Sequence, residues 1–155
     1  MTKFLLAVHV LAAIVAIGPV TVAASMFPPA ARKALAEPGD GQARSTVQLL
    51  HRICQVYAVV GVVVPVFGFA TAQAMGVLGD TWLIVSIALT VVAAVVLAAL
   101  VLPRQTAIAE GIWHDAATVG PRATVRLAMF TGVFNLLWAA VTILMIVRPG
   151  STTGA

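Results

Sequence analysis

The residues best able to do chemistry in this chain are three histidines, His9, His51 and His114, set in a sequence otherwise poor in reactive groups. His9 lies about two turns inside the first apolar stretch. His51 stands where the second stretch begins, and His114 lies between the third and fourth. Glu110 precedes His114 by four residues, a spacing that puts both on one helix face and can place two ligands on one metal ion. Trp113 and Asp115 beside it fit an interfacial anchor equally well, and surface histidines at a membrane boundary are the commoner reading of His51 and His114. Met75 and Met145 approach the same membrane face as His9. Imidazole with thioether suits Cu(I) or haem iron, although methionine more often fills apolar cores. Asn135 stands near the middle of the last stretch, with Thr90 at matching depth in the third. An amide at that depth needs a polar partner, so both should face the interior as interhelical bonds. Cys54, the single cysteine, sits in an apolar run and reads as a buried, inert thiol; one cysteine excludes an internal disulfide and any CxxC motif.

The remaining catalytic patterns are missing. The sequence has no P-loop, no Gly-x-Ser-x-Gly elbow, no His-Glu-x-x-His and no dinucleotide fingerprint. The apolar stretches carry no acidic residue, which proton-coupled transporters usually place there. These patterns leave open whether the chain is an enzyme.

Four long apolar stretches must position the histidines. Of 155 residues, 61% are hydrophobic and 9% charged, against about 25% charged in soluble domains. A soluble fold of this size could not hide so much apolar surface. The pI near 10.3 comes from a few bases placed between apolar segments, where they act as topology signals and contacts for anionic lipid rather than for nucleic acid. Stretches of roughly 20 apolar residues cross the ~30 Å hydrocarbon core, and the backbone must then be helical. The expected architecture is a single all-α domain over 1–155, an up-down-up-down bundle with spans at about 4–26, 46–78, 81–102 and 127–147. The lack of dyad alternation excludes a β-barrel. The first run exceeds the 7–15 apolar residues usual in a signal peptide, so it reads as a retained span.

The connections carry turn chemistry. Phe27-Pro28-Pro29 is expected to stop the first helix, since proline supplies no amide donor. Pro38-Gly39-Asp40-Gly41 reads as a turn, and Ser45 to Gln48 has capping-box spacing. Gly79-Asp80 closes a tight hairpin, with Asp80 capping the third helix. Gly18-Pro19 and Pro65, four residues after Gly61, predict bends. Pro103 ends or kinks the third helix, and Gly120-Pro121 breaks the connection after it. Pro149-Gly150 ends the fourth helix, and residues 151–155 form a disordered tail.

The run Leu5-Leu6-Ala7-Val8-His9-Val10-Leu11 resembles the first helix of a bacterial membrane superfamily that includes the copper-resistance D proteins (CopD), the HemJ-type protoporphyrinogen oxidases and small uncharacterised integral membrane proteins. The chain looks most like the last group. In HemJ-type proteins a histidine in the corresponding place is associated with haem b, and the last helix ends in an apolar run followed by Lys-Pro. Here the matching end is Ile143 through Arg148-Pro149, with arginine in place of lysine, so oxidase activity is not carried over.

The resemblance implies a haem- or redox-associated membrane protein in which His9 is an axial or metal ligand. Arg148 would pair with a propionate, and Met145, Met75 or a second subunit would complete the ligation. Alternative readings are a small copper or solute transport protein and a structural subunit of a larger membrane complex. The partners implied are the bilayer, further copies of the chain or other membrane subunits. His9, Ala13 and Ala16 share a face that leaves room for a flat ligand, and Gln73 is an available partner for a neutral His9. The first and third connections hold Arg32, Lys33, Arg44, Arg52, Arg104, Arg122 and Arg126, while Lys3 and Arg148 lie on the other side. In the cell membrane this charge asymmetry puts both termini outside the cytoplasm. A reporter active only in the cytoplasm should therefore be silent when fused after Ala155; activity there would reverse the orientation.

Overall fold

The computed structural model describes residues 1–151, and the tail expected beyond Ser151 lies outside them. Six α-helices are described: α1 Thr2–Ala36, α2 Gly41–Val60, α3 Val63–Met75, α4 Thr81–Val95, α5 Leu102–His114 and α6 Ala123–Val147. A π-helical turn, Val96–Val101, fuses α4 to α5, and a short 3₁₀ turn, Ala116–Thr118, follows α5. Counting α2 with α3 and α4 with α5, four helices are long and apolar enough to cross a membrane. The protein is an all-α four-helix bundle, as hydropathy predicts.

The helix ends depart from expectation, and packing explains why. α1 does not stop at Phe27-Pro28-Pro29 but runs on to Ala36. The two prolines deprive the carbonyls of Ala24 and Ser25 of their helical donors. Beyond them, however, Phe27, Ala31 and Ala34 are completely buried, and they share a core with Ala43, Val47, Leu50 and Cys54 of α2. That burial holds the last turns in place. The second helix begins at Gly41 rather than near Ser45. Asp40 accepts from the amides of Gln42 at 2.9 Å and Ala43 at 3.1 Å, whereas the Ser45 hydroxyl turns back to the Gly41 carbonyl.

The bend predicted at Pro65 appears as a break between α2 and α3. The Gly61 carbonyl, which Pro65 cannot serve, accepts instead from the Val64 amide at 3.1 Å. Pro103 neither ends nor interrupts the third helix; the π-helical turn precedes it and the chain continues helically to His114. Asp80 stands at the start of α4, but its carboxylate caps no amide and instead accepts from Trp82 Nε1 at 3.0 Å. Gly76, with φ of 70°, closes α3 in the left-handed conformation that glycine adopts at least cost, and the hairpin follows. Arg148, at φ 45°, ends α6 as Pro149-Gly150 predicts.

The core is uneven along the bundle. Its main part lies toward the end bearing the first and third connections, where α1, α2, α5 and α6 meet around Phe27, Cys54, Val101, Ile108 and Leu127. Arg104 ties α5 to α6 there, its guanidinium 4.4 Å from the Phe130 ring centre. A smaller cluster of Ala72, Trp82 and Leu83 closes the opposite end. Between them runs a belt of exposed apolar side chains, such as Ile14, Val59, Leu136 and Ile146, the surface a bilayer would cover. Asp40→Ala should lower stability by about 1 kcal/mol through loss of the α2 cap. Asp40→Asn should keep most of it, and Lys33→Ala, which removes only an exposed 3.9 Å ion pair, should change little. Thermal unfolding in detergent measures all three.

Candidate functional site

His9 is half-buried in the seam between α1 and α3. Its Nδ1 lies 3.0 Å from the Val64 carbonyl oxygen. A carbonyl can only accept, so Nδ1 carries a proton, which in a neutral imidazole leaves the lone pair on Nε2. Nε2 makes no hydrogen bond to any described residue. Gly68 makes the approach possible: a Cβ there would stand 2.8 Å from His9 Cε1 and 3.2 Å from Nδ1. The room for the imidazole itself thus comes from a glycine on α3. Gln73, the partner considered from sequence, is exposed and does not bond His9; the Val64 carbonyl takes its place.

Arg148 and Met145 are gathered elsewhere, around Trp82. Arg148 Nε donates to the Met145 carbonyl at 3.2 Å, and its guanidinium lies 5.5 Å from the Trp82 ring centre. Met145 packs on the cluster of Ala72, Trp82 and Leu83, and Asp80 holds the indole N–H. His9 belongs to the α1–α3 seam, and these two to the α4–α6 side of the same end. Met75 is half-buried at the end of α3.

The polar cluster that sequence reading missed surrounds His51. This histidine is not a solvated interfacial residue. Its Nδ1 lies 3.3 Å from Gln105 Oε1, its Nε2 lies 3.2 Å from Thr106 Oγ1, and Phe27 meets its ring edge-on. Gln105 is completely buried and donates through Nε2 to Cys54 Sγ at 3.5 Å. Thr106 also reaches the Leu102 carbonyl at 3.0 Å, so its hydroxyl can turn to either acceptor. In the sequence the set is scattered: Gln105 lies beyond the third apolar stretch, more than fifty residues from His51 and Cys54. His114 and Glu110 are exposed at the end of α5, and among the described residues no three His, Cys, Asp or Glu side chains cluster to hold a metal ion.

Asn135 and Thr90 do not pair. Asn135 donates to Ser25 Oγ of α1 at 3.0 Å, on the exposed side of the α1–α6 contact, while the Thr90 hydroxyl bonds the Ser86 carbonyl of its own helix at 2.7 Å. Equal depth is not sufficient for contact, because helix rotation decides which side chains meet.

Comparisons with protein-family models, with curated proteins and with solved structures found no match.

Two substitutions test this geometry. Gly68→Ala should destabilise the protein by about 1–3 kcal/mol through overpacking, and the loss should shrink in a His9→Ala background, where the imidazole is gone. Native Cys54, with no exposed surface, should resist maleimide, and Gln105→Ala should speed its labelling by opening the cover over the sulfur.

Proposed function

We propose that the protein is a multi-pass protein of the cell membrane, both termini outside the cytoplasm, that binds haem b through Nε2 of His9. The observation that supports this reading is the bond from His9 Nδ1 to the Val64 carbonyl at 3.0 Å. Histidine ligands of metals characteristically donate their other N–H to a carbonyl or carboxylate, which fixes the tautomer and raises the basicity of the ligating nitrogen. His9 meets that condition in a half-buried position on an apolar helix, and an ionisable residue within a span is a functional-site candidate by default. The resemblance of the Leu5–Leu11 run to the first helix of the CopD and HemJ-like superfamily points the same way.

The donor set fits haem in part. His9 Nε2 is an unengaged nitrogen donor, and the Nη groups of Arg148 remain to pair with a propionate at the same end. The chain has no second histidine at that depth. A second copy of the chain would supply another imidazole, or Met145, released from the Trp82 cluster, would supply its thioether instead. Bound haem would supply one-electron transfer. This chain's residues hold the ligating tautomer, keep the surroundings apolar and place a cation at the rim.

The charge pattern supports the orientation, because the connections rich in arginine share one end of the bundle. A purely structural role for His9, bracing α1 on α3 within a subunit of a larger complex, is the competing reading, favoured by the close fit at Gly68. Absorption spectroscopy separates the two. Purified protein reconstituted with haem should show a Soret band that His9→Ala loses and that His51→Ala and His114→Ala keep. A wild-type protein without the band, with His9→Ala merely less stable, would establish the bracing role.

A further inference from the structure

A cleft of about 300 Å³ opens between α1 and α6, lined by Ser25, Pro28, Arg32, Thr131, Gly132 and Asn135 among others. It lies about 24 Å along α1 from His9, at 1.5 Å per residue, toward the basic end. Its wall carries polar groups that the fold leaves unfilled. Thr131 is 3% exposed, and its hydroxyl has no partner. This is unusual here: Ser25, Thr71, Ser86, Thr90 and Thr142 each satisfy their hydroxyl on the carbonyl four residues back. Asn135 gives its amide N–H to Ser25 Oγ, but its Oδ1 is buried without a partner. Pro29 lacks the amide that would serve the Ser25 carbonyl. Arg32 stands seven residues beyond Ser25, about 10 Å nearer the membrane surface. Its Nε leans on the Pro28 carbonyl at 3.4 Å, leaving both Nη groups for an anion. Gly132 gives the cleft its depth, since a Cβ there would meet nothing within 4 Å.

We propose that this cleft binds a single-chain anionic phospholipid, a monoacyl glycerophosphate. The phosphate pairs with Arg32 at the surface. Below it, the Thr131 hydroxyl turns about χ1 to donate to the acyl ester carbonyl. The free glycerol hydroxyl donates to Asn135 Oδ1. The acyl chain lies along the exposed apolar flank of α6, where Val133 and Leu136 face outward. The count of donors and acceptors selects the class. Beneath its phosphate a diacyl phosphatidate offers only ester acceptors, whereas the cleft needs a donor for the unfilled Asn135 Oδ1. Inorganic phosphate would satisfy Arg32 alone.

The test is native mass spectrometry of the full chain in detergent, titrated separately with oleoyl glycerophosphate, dioleoyl phosphatidate and inorganic phosphate. The expected result is at least tenfold tighter binding of the monoacyl lipid than of the diacyl lipid, with no saturable phosphate binding. Gly132→Leu should fill the open cleft and abolish the monoacyl complex. Arg32→Gln, at an exposed position that the core does not need, should weaken it at least tenfold, and Thr131→Val several-fold. Equal binding of the two lipids, binding of phosphate alone, or monoacyl binding that survives both Gly132→Leu and Arg32→Gln would overturn the proposal.

Discussion

The structure depends on one constraint: in an apolar medium every backbone carbonyl and side-chain hydroxyl must find its hydrogen bond inside the protein. Helices meet it by default, and this chain then places prolines within them at 19, 28, 29, 65 and 103. Each removes a donor that something else must replace. At Pro65 the replacement is local, with the Gly61 carbonyl shifting to the Val64 amide. Near Pro103 the helix widens to a π-turn, and Arg104 Nη1 donates to the Leu100 carbonyl at 2.9 Å. Pro28 and Pro29 take two amides out of α1, and both prolines line the α1–α6 cleft.

The same constraint explains how little polar contact links the helices. Hydroxyls in the spans mostly fold back onto their own helix, the cheapest satisfaction available to serine and threonine. What crosses between helices is a short set: His9 to Val64, His51 to Gln105 and Thr106, Gln105 to Cys54, and Asn135 to Ser25. Helix association therefore rests mainly on close packing, with Ala23, Ala24, Ala31, Ala34 and Ala93 buried at the contacts.

The two ends of the bundle divide the work. The basic end carries the dense core and the His51–Gln105 set, and helical turns of α1, α2 and α5 extend it past the apolar stretches. The opposite end is lightly packed: α3 leans on α1 and α4 on α6, and a single tryptophan cluster closes it. His9 and its unengaged Nε2 lie on the looser side, where neighbouring helices leave a nitrogen lone pair accessible. The α1–α6 cleft lies toward the denser side, among buried atoms that packing has left without partners.

The sequence by itself determined the fold class, the four spans, the hairpin at Gly79-Asp80 and the end of the last helix. Hydropathy and turn chemistry are local properties, and the bilayer dimension converts them directly into helices. It also singled out His9 as the ionisable group within a span. Tertiary structure decided what those residues touch. It carried α1 through two prolines, because Phe27, Ala31 and Ala34 found a partner helix. It gave His9 the Val64 carbonyl instead of Gln73, and Asn135 a serine on α1 instead of Thr90. It also made Gln105, which lies beyond the third apolar stretch, the centre of a buried polar set. Depth along a helix follows from counting residues, but the rotation of one helix against another is set by the packing of all four together, which no single stretch of sequence contains.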